Sequence, residues 1–213
     1  MIKFSMVVGG IMKKRFLAYS TGLIKQYYPE TNQIKMEEYA YNLEAFYLTI
    51  SKMLIIIPLS IIIGVFKEMM ILLVFFNFIR EPAHGLHASK SWICLLSSSI
   101  IFIGCPIIAK SINIPFIFNL SLEIIGLLLL AIYAPADTKK APIIRAEKRK
   151  KLKINTIINC IILIIINLFI KDSIISNIIV LSIWIGVFLI LPITYKIFNQ
   201  PYKNYIEYLK NMD

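Results

Sequence analysis

The chain has 213 residues, 58% of them hydrophobic and 16% charged, with a mean hydropathy of +0.75. A soluble domain is usually about 45–50% apolar and about 25% charged, so this excess, gathered in long runs, excludes a water-soluble core and points to lipid. The formal net charge of +11 would suggest nucleic acid in a soluble protein, but loop orientation and anionic lipid explain it here, and no nucleic-acid partner is expected.

Residues 1–40 alternate apolar positions such as Ile11, Phe16, Leu17, Leu23 and Ile24 with Lys13, Lys14, Arg15 and Lys25. That pattern predicts amphipathic helix at the membrane interface, broken near Pro29. A cleavable leader is not expected, because the short apolar stretch 4–12 contains Gly9 and Gly10 and runs into three cations. Residues 41–195 form the expected transmembrane domain. A first span is predicted within 43–66 with a kink at Pro58, and a second over 69–79. The second is short for hydrocarbon about 30 Å thick, so it either continues into the polar stretch 80–94 or is a buried half-helix. The third, over 92–109, carries Ser97, Ser98 and Ser99, which can bond to helix backbone. Pro115 opens the fourth, which ends near Tyr133 and holds Glu123, an intramembrane carboxylate.

The stretch 134–153 has eight basic and two acidic residues and is read as a basic loop. Spans over 154–170 and 174–191 follow, closed by Pro192, and 196–213 is a polar tail. Runs this uniformly apolar do not alternate as barrel strands do, so the expected class is all-α, a polytopic membrane protein with about six transmembrane helices. The basic loop should lie in the cytoplasm. Six spans then put both termini and the stretch 80–94 on that side of the cell membrane.

Reactive side chains are costly beside hydrocarbon, yet residues 80–94 hold both histidines, His84 and His87, and one of three cysteines, Cys94. An imidazole can take a thiol proton and return it to a leaving group. His87 and Cys94 are seven residues apart, a rise of about 10.5 Å on an unbroken helix. A working dyad needs heavy atoms about 2.6–3.2 Å apart, so the backbone must turn between them. His87 would follow Gly85 on a loop, with Cys94 in the first turns of the next span, where the helix dipole favours thiolate. Blander roles stay open. Cys94 could be a small buried apolar group, as Cys105 and Cys160 are expected to be, and His87 a hydrogen-bonded interfacial residue. Arg80 reads as a snorkelling anchor or as a donor to a substrate carboxylate or oxyanion. Glu81, His84, His87 and Cys94 have a loose zinc-ligand spacing, but Pro82 and Gly85 disturb the helix it presumes; no metal or cofactor is expected. The cysteines form no CxxC pair and cannot all be joined as disulfides.

The order Arg80, Gly85, His87-Ala88, Cys94 resembles the signature of the accessory gene regulator B family, whose pattern has a glycine pair before the histidine. His84 stands where that pattern has its first glycine. Pro135-Ala136-Asp137, followed by Lys139, Lys140 and Pro142, is similar to the family's proline- and lysine-containing loop. The resemblance implies a membrane cysteine endopeptidase, a thiol protease of quorum sensing, with His87 and Cys94 catalytic and Arg80 and Gly85 as substrate or oxyanion support. It implies a small propeptide as substrate, with an amphipathic N-terminus and an acidic C-terminal tail. Cleavage would pass through a Cys94 acyl-enzyme that closes to a thiolactone or lactone. Membrane lipid is a further expected partner, and family members form dimers, which the resemblance extends to a homodimer here. The rival class is a non-enzymatic small-peptide transporter or membrane scaffold, for which Glu123 would be the natural working residue.

Overall fold

Lipid offers backbone N–H and C=O groups no partners, so apolar runs of this length have to close their hydrogen bonds internally as helices. The computed structural model describes residues 2–86, 91–138, 142–170 and 172–210, and these are helical apart from turns and one isolated parallel bridge, His84 with Ala136. The chain forms two compact units, Met1–Pro58 and Leu59–Asp213.

In the first unit, helix α1 (Ile2–Tyr27) leads through a turn at Pro29 into α2 (Gln33–Ile63). The two are fastened by an ion pair, Lys13 Nζ to Glu44 at 2.7 Å, and by the Phe16 and Tyr47 rings, 5.3 Å between centroids. The 31 residues of α2 make a rod about 46 Å long, more than the hydrocarbon needs. Its apolar part, Asn42–Ile63, is a candidate membrane crossing, and the helix is continuous through residues 40 and 41. Pro58 lies inside it.

The second unit contains α3 (Phe66–Ala83), α4 (Ser91–Ser99), a π-helical turn (Ile100–Gly104), α5 (Cys105–Ser111), α6 (Phe116–Tyr133), α7 (Ala146–Phe169), α8 (Ser173–Ile190), α9 (Pro192–Ile197) and α10 (Asn204–Lys210). Gly64, at φ +79, supplies the left-handed residue after α2, and α3 starts two residues later. Among the described residues, five helices are long and apolar enough to cross a membrane: Asn42–Ile63, Ile93–Ser111, Phe116–Tyr133, Ala146–Phe169 and Ser173–Ile190. The expected second span is α3. It has 18 residues rather than the eleven of the apolar run 69–79, and it does continue into the polar stretch, ending at Ala83 beyond Pro82. Lys67, Glu68, Arg80 and Glu81 at its ends make it less apolar than the five. The expected third span, Ile93–Ser111, is one rod with a widened turn. Pro106 has no N–H to give the preceding turn, and the backbone relaxes there into i→i+5 bonding.

Helix α8 is the centre of this unit. Ten of its 18 residues are buried, and α3, α5, α6 and α7 all pack on it. Its small residues make that possible. A Cβ on Gly186 would lie 2.7 Å from Ile79 Cγ2 of α3, and Gly126 of α6 meets Ile183 of α8 just as closely. Close backbone approach of this kind replaces the hydrophobic drive that lipid removes. The other helices keep broad apolar faces outward, with Ile117, Ile132, Ile165 and Phe169 all exposed.

Contacts sort the helix ends into two sets. At one end Lys110 Nζ pairs with Glu68 at 3.3 Å and donates to Gly64 O, while Asn177 Nδ2 donates to the carbonyls of Ala109 and Ile112. At the other end the last turn of α3, residues 134–138 and the end of α8 meet. Gly85 N–H donates to Ala136 O, Ala136 N–H to Ala83 O, and Leu86 N–H to Leu189 O. Helix α7 begins at Ala146, eight residues before the apolar run that marked the expected fifth span, so Lys148 to Lys153 lie on its first two turns rather than in a loop.

Candidate active site

The polar stretch 80–94 is a break between two helices. α3 stops at Ala83, His84 and Gly85 both take positive φ, and α4 begins at Ser91. His87, with Ala88, Ser89 and Lys90, lies outside the described residues, as do Lys139 and Lys140.

The turn is held mainly by backbone. His84 caps α3 with its N–H on Arg80 O at 2.9 Å, and takes φ 56, ψ −130. That conformation suits glycine, because a Cβ crowds the backbone there. Gly85 follows at φ +100. A Cβ on Gly85 would stand 2.6 Å from Arg80 Nη1 and 2.6 Å from Leu189 O, leaving no room for any other residue. Arg80 folds back on its own helix end, with Nη2 donating to Leu86 O at 2.7 Å and Gly85 O at 3.2 Å. These charge-assisted bonds tie the start of the turn to its end.

Cys94 is the fourth residue of α4, half-buried and not in a disulfide. Ser97 Oγ donates to its carbonyl at 3.2 Å. The thiol therefore sits close to the start of a helix. Cys160 is fully buried on α7, and Cys105 opens α5 after the π turn. Among the described residues, no three His, Cys, Asp or Glu side chains gather as a metal site.

His84 is half-buried, and Nδ1 has no hydrogen-bond partner among the described residues. Burial pushes its imidazole below the ordinary histidine range; a bond to the Pro82 backbone opposes this, and the charges of Arg80 and Lys148 add to it. Asn77 and Asp137 are each engaged with backbone. Asn77 Nδ2 donates to Leu73 O at 2.7 Å. Asp137 accepts from Asn204 N at 3.0 Å and from Tyr205 N at 2.8 Å, capping α10, while its own carbonyl accepts from Tyr195 Oη at 2.9 Å. Burial also pushes the Tyr195 phenol up, against the pull of Arg80.

Asp137, Tyr195, Asn204 and Arg149 thus lock residues 134–138 to the tail that the sequence showed only as polar. Arg149 Nη1 donates to Ile143 O and Ile144 O at 3.0 and 2.9 Å, and its guanidinium lies 3.9 Å from the Tyr205 ring centroid. The one sequence signal for this lock was an isolated acid, Asp137, inside a basic stretch. Glu123, the intramembrane carboxylate, is fully buried. Asn167 Nδ2 of α7 donates to its Oε1 at 2.7 Å, and among the described residues neither its Oε2 nor Asn167 Oδ1 has a further partner.

A family model described as accessory gene regulator B matches residues 20–190. A protein of Clostridium acetobutylicum described as AgrB-like is 38% identical over 165 residues, 78% of this chain and 79% of its own length. Accessory gene regulator protein B of Staphylococcus aureus is 37% identical over 145 residues, covering 68% of this chain and 75% of that protein. Protein FsrB of Enterococcus faecalis is 32% identical over 156 residues, 72% and 64% of the two chains. No solved structure matches.

Proposed function

Since this chain belongs to the accessory gene regulator B family, we propose that it is a membrane-embedded cysteine endopeptidase that cuts the acidic C-terminal tail from a small autoinducer propeptide. The observation that carries this is the place of Cys94, in the first turn of a helix entered from a turn clamped by Arg80 and Gly85. His87 lies between Leu86 and Ser91 in sequence, and in this reading it is the base that serves the thiol.

In this mechanism His87 takes the Cys94 proton and Sγ attacks the scissile carbonyl carbon. The tetrahedral adduct collapses, the C–N bond breaks, and His87 returns the proton to the departing amine of the tail. A thioester joins the remaining peptide to Cys94. His87, now neutral, takes the proton of a cysteine thiol or serine hydroxyl within the peptide as it attacks that carbonyl; the C–S bond to Cys94 breaks and the proton passes to the departing Sγ, closing a thiolactone or lactone. Thioester-to-thioester exchange is near balance, and a tethered nucleophile outcompetes water through effective concentration. Arg80 and Gly85 support the site, Arg80 by fixing the carbonyls before His87 and Gly85 by admitting the guanidinium beside it.

The motif, the basic start of α7 and the end of α8 share one end of the second unit. This supports a cytoplasmic site in a bacterial membrane, because a basic stretch close to span ends stays inside. The test is processing of a candidate precursor in proteoliposomes. Cys94→Ala and His87→Ala abolish cleavage, whereas Cys105→Ala leaves substantial activity. Full cleavage by Cys94→Ala would falsify the mechanism.

A further inference from the structure

We propose that a pocket at the polar end of the second unit binds the phosphate headgroup of an anionic phospholipid. The pocket, about 360 Å³, lies between the end of α6, the first turns of α7 and the C-terminal segment. Arg149, Lys150, Lys153 and Lys203 line it, with Tyr133 and Tyr202 beside them. Its one acid is Asp137, and both carboxylate oxygens are taken by the N–H groups of Asn204 and Tyr205. Among the described residues none of the four cations is in an ion pair. Arg149 is held in place by two backbone carbonyls and by Tyr205. Four cations around one concavity, with their nearest acid already occupied, call for an anion.

Depth selects a lipid over a soluble anion. The apolar run of α6 ends at Tyr133 and that of α7 resumes at Ile154, directly after Lys153, so the pocket lies where hydrocarbon gives way to headgroups. Ile132 and Ile154 flank it at 65% and 46% exposure, ready for acyl chains below a bound phosphate. Tyrosines are enriched at this level of a bilayer, and basic pockets between spans take acidic headgroups. One wall, Pro135 to Asp137, belongs to the segment that hydrogen-bonds to Ala83 and Gly85, so an occupied pocket braces the turn of the motif from behind. The site does not depend on the peptidase reading.

The test uses the full-length protein in nanodiscs of equimolar phosphatidylcholine and phosphatidylglycerol, with retained lipid identified by native mass spectrometry. The wild-type chain retains phosphatidylglycerol preferentially. Joint Lys150→Gln, Lys153→Gln and Lys203→Gln lowers that preference about tenfold or more. Lys→Arg at the same three positions keeps it, and Lys14→Gln, Lys25→Gln and Lys35→Gln together, an equal loss of charge on the first unit, also keep it. Equal loss in the two Gln triples overturns the proposal, as does a wild-type chain with no preference. Displacement of the lipid by inorganic phosphate or a glutamate-rich peptide, at lower concentration than by a short-chain phosphatidylglycerol, overturns it too.

Discussion

Gly85 is the residue on which the turn before His87 depends. Its φ of +100 costs any L side chain strain of about 1–3 kcal/mol, and the space a Cβ needs is filled by a backbone carbonyl, Leu189 O, that cannot swing aside. Gly85→Ala should therefore displace the Arg80 guanidinium or break the contact with α8, and processing should fall to background while the protein still inserts. A precursor assay on membranes carrying equal amounts of the two proteins reads this directly; near-normal cleavage would mean the clamp is dispensable. His84 gives the opposite expectation. It has a glycine-like backbone and a buried ring Nδ1 with no partner among the described residues, so His84→Gly relieves strain and should retain processing. It should also change the pH response. The folded imidazole binds a proton less readily than the unfolded one, so stability is full above the ordinary histidine pKa of about 6.5 and is lost as pH falls below it. Melting in detergent between neutral and mildly acidic pH should show a smaller decline in His84→Gly than in the wild type.

Between helices, Glu123 and Asp137 do different work although both are buried acids. Glu123 joins α6 to α7 through Asn167. Gln at 123 can accept from Asn167 Nδ2 and donate to Asn167 Oδ1, the atom now without a partner, so Glu123→Gln should melt near the wild type and keep processing. Glu123→Ala strands the Asn167 amide and should cost about 1–3 kcal/mol. A transporter that works by titrating this carboxyl would instead fail in the Gln variant. Asp137 caps α10 and holds the tail to residues 134–138. Asp137→Ala removes two bonds to a charged acceptor, each worth about 1.5–3 kcal/mol. Limited proteolysis should then cut between α9 and α10 faster than in the wild type, and unchanged cleavage would place the hold on the tail elsewhere.

The spans were legible because hydropathy is additive along a run, and the apolar cores of α6, α7 and α8 are found where it places them. Their starts were less legible. Lys148 to Lys153 are as helical as the isoleucines after them, but polarity at a membrane surface says nothing about backbone conformation. The central position of α8 was hidden for a related reason. Its isoleucines look like those of lipid-facing α7, and only Ser176, Asn177, Ser182 and Gly186 mark it as packed on several sides. Around the motif, spacing called for a bend between His87 and Cys94, a segment that includes residues outside those described. It did not reveal that Arg80 turns back on the carbonyls of Gly85 and Leu86, because that geometry depends on Leu189, about a hundred residues away in sequence.

At the scale of the molecule the two sets of helix ends impose a joint constraint on topology. Helices that hydrogen-bond at their ends share a membrane side, so Ala83, residues 134–138 and Leu189 go together, and the Gly64, Lys110 and Asn177 set lies opposite. In the proposed orientation the first set faces the cytoplasm, since the basic start of α7 belongs to it. Single-cysteine proteins, with all three native cysteines replaced, separate the possibilities. Lys150→Cys should react with a membrane-impermeant maleimide in inside-out vesicles and stay protected in intact cells, and Asn113→Cys, exposed beside Lys110, should show the reverse. Inversion of both patterns would move the motif outside and require a secreted substrate. Labelling of both from one face would contradict the bundle itself, because no rotation of the second unit brings those ends together.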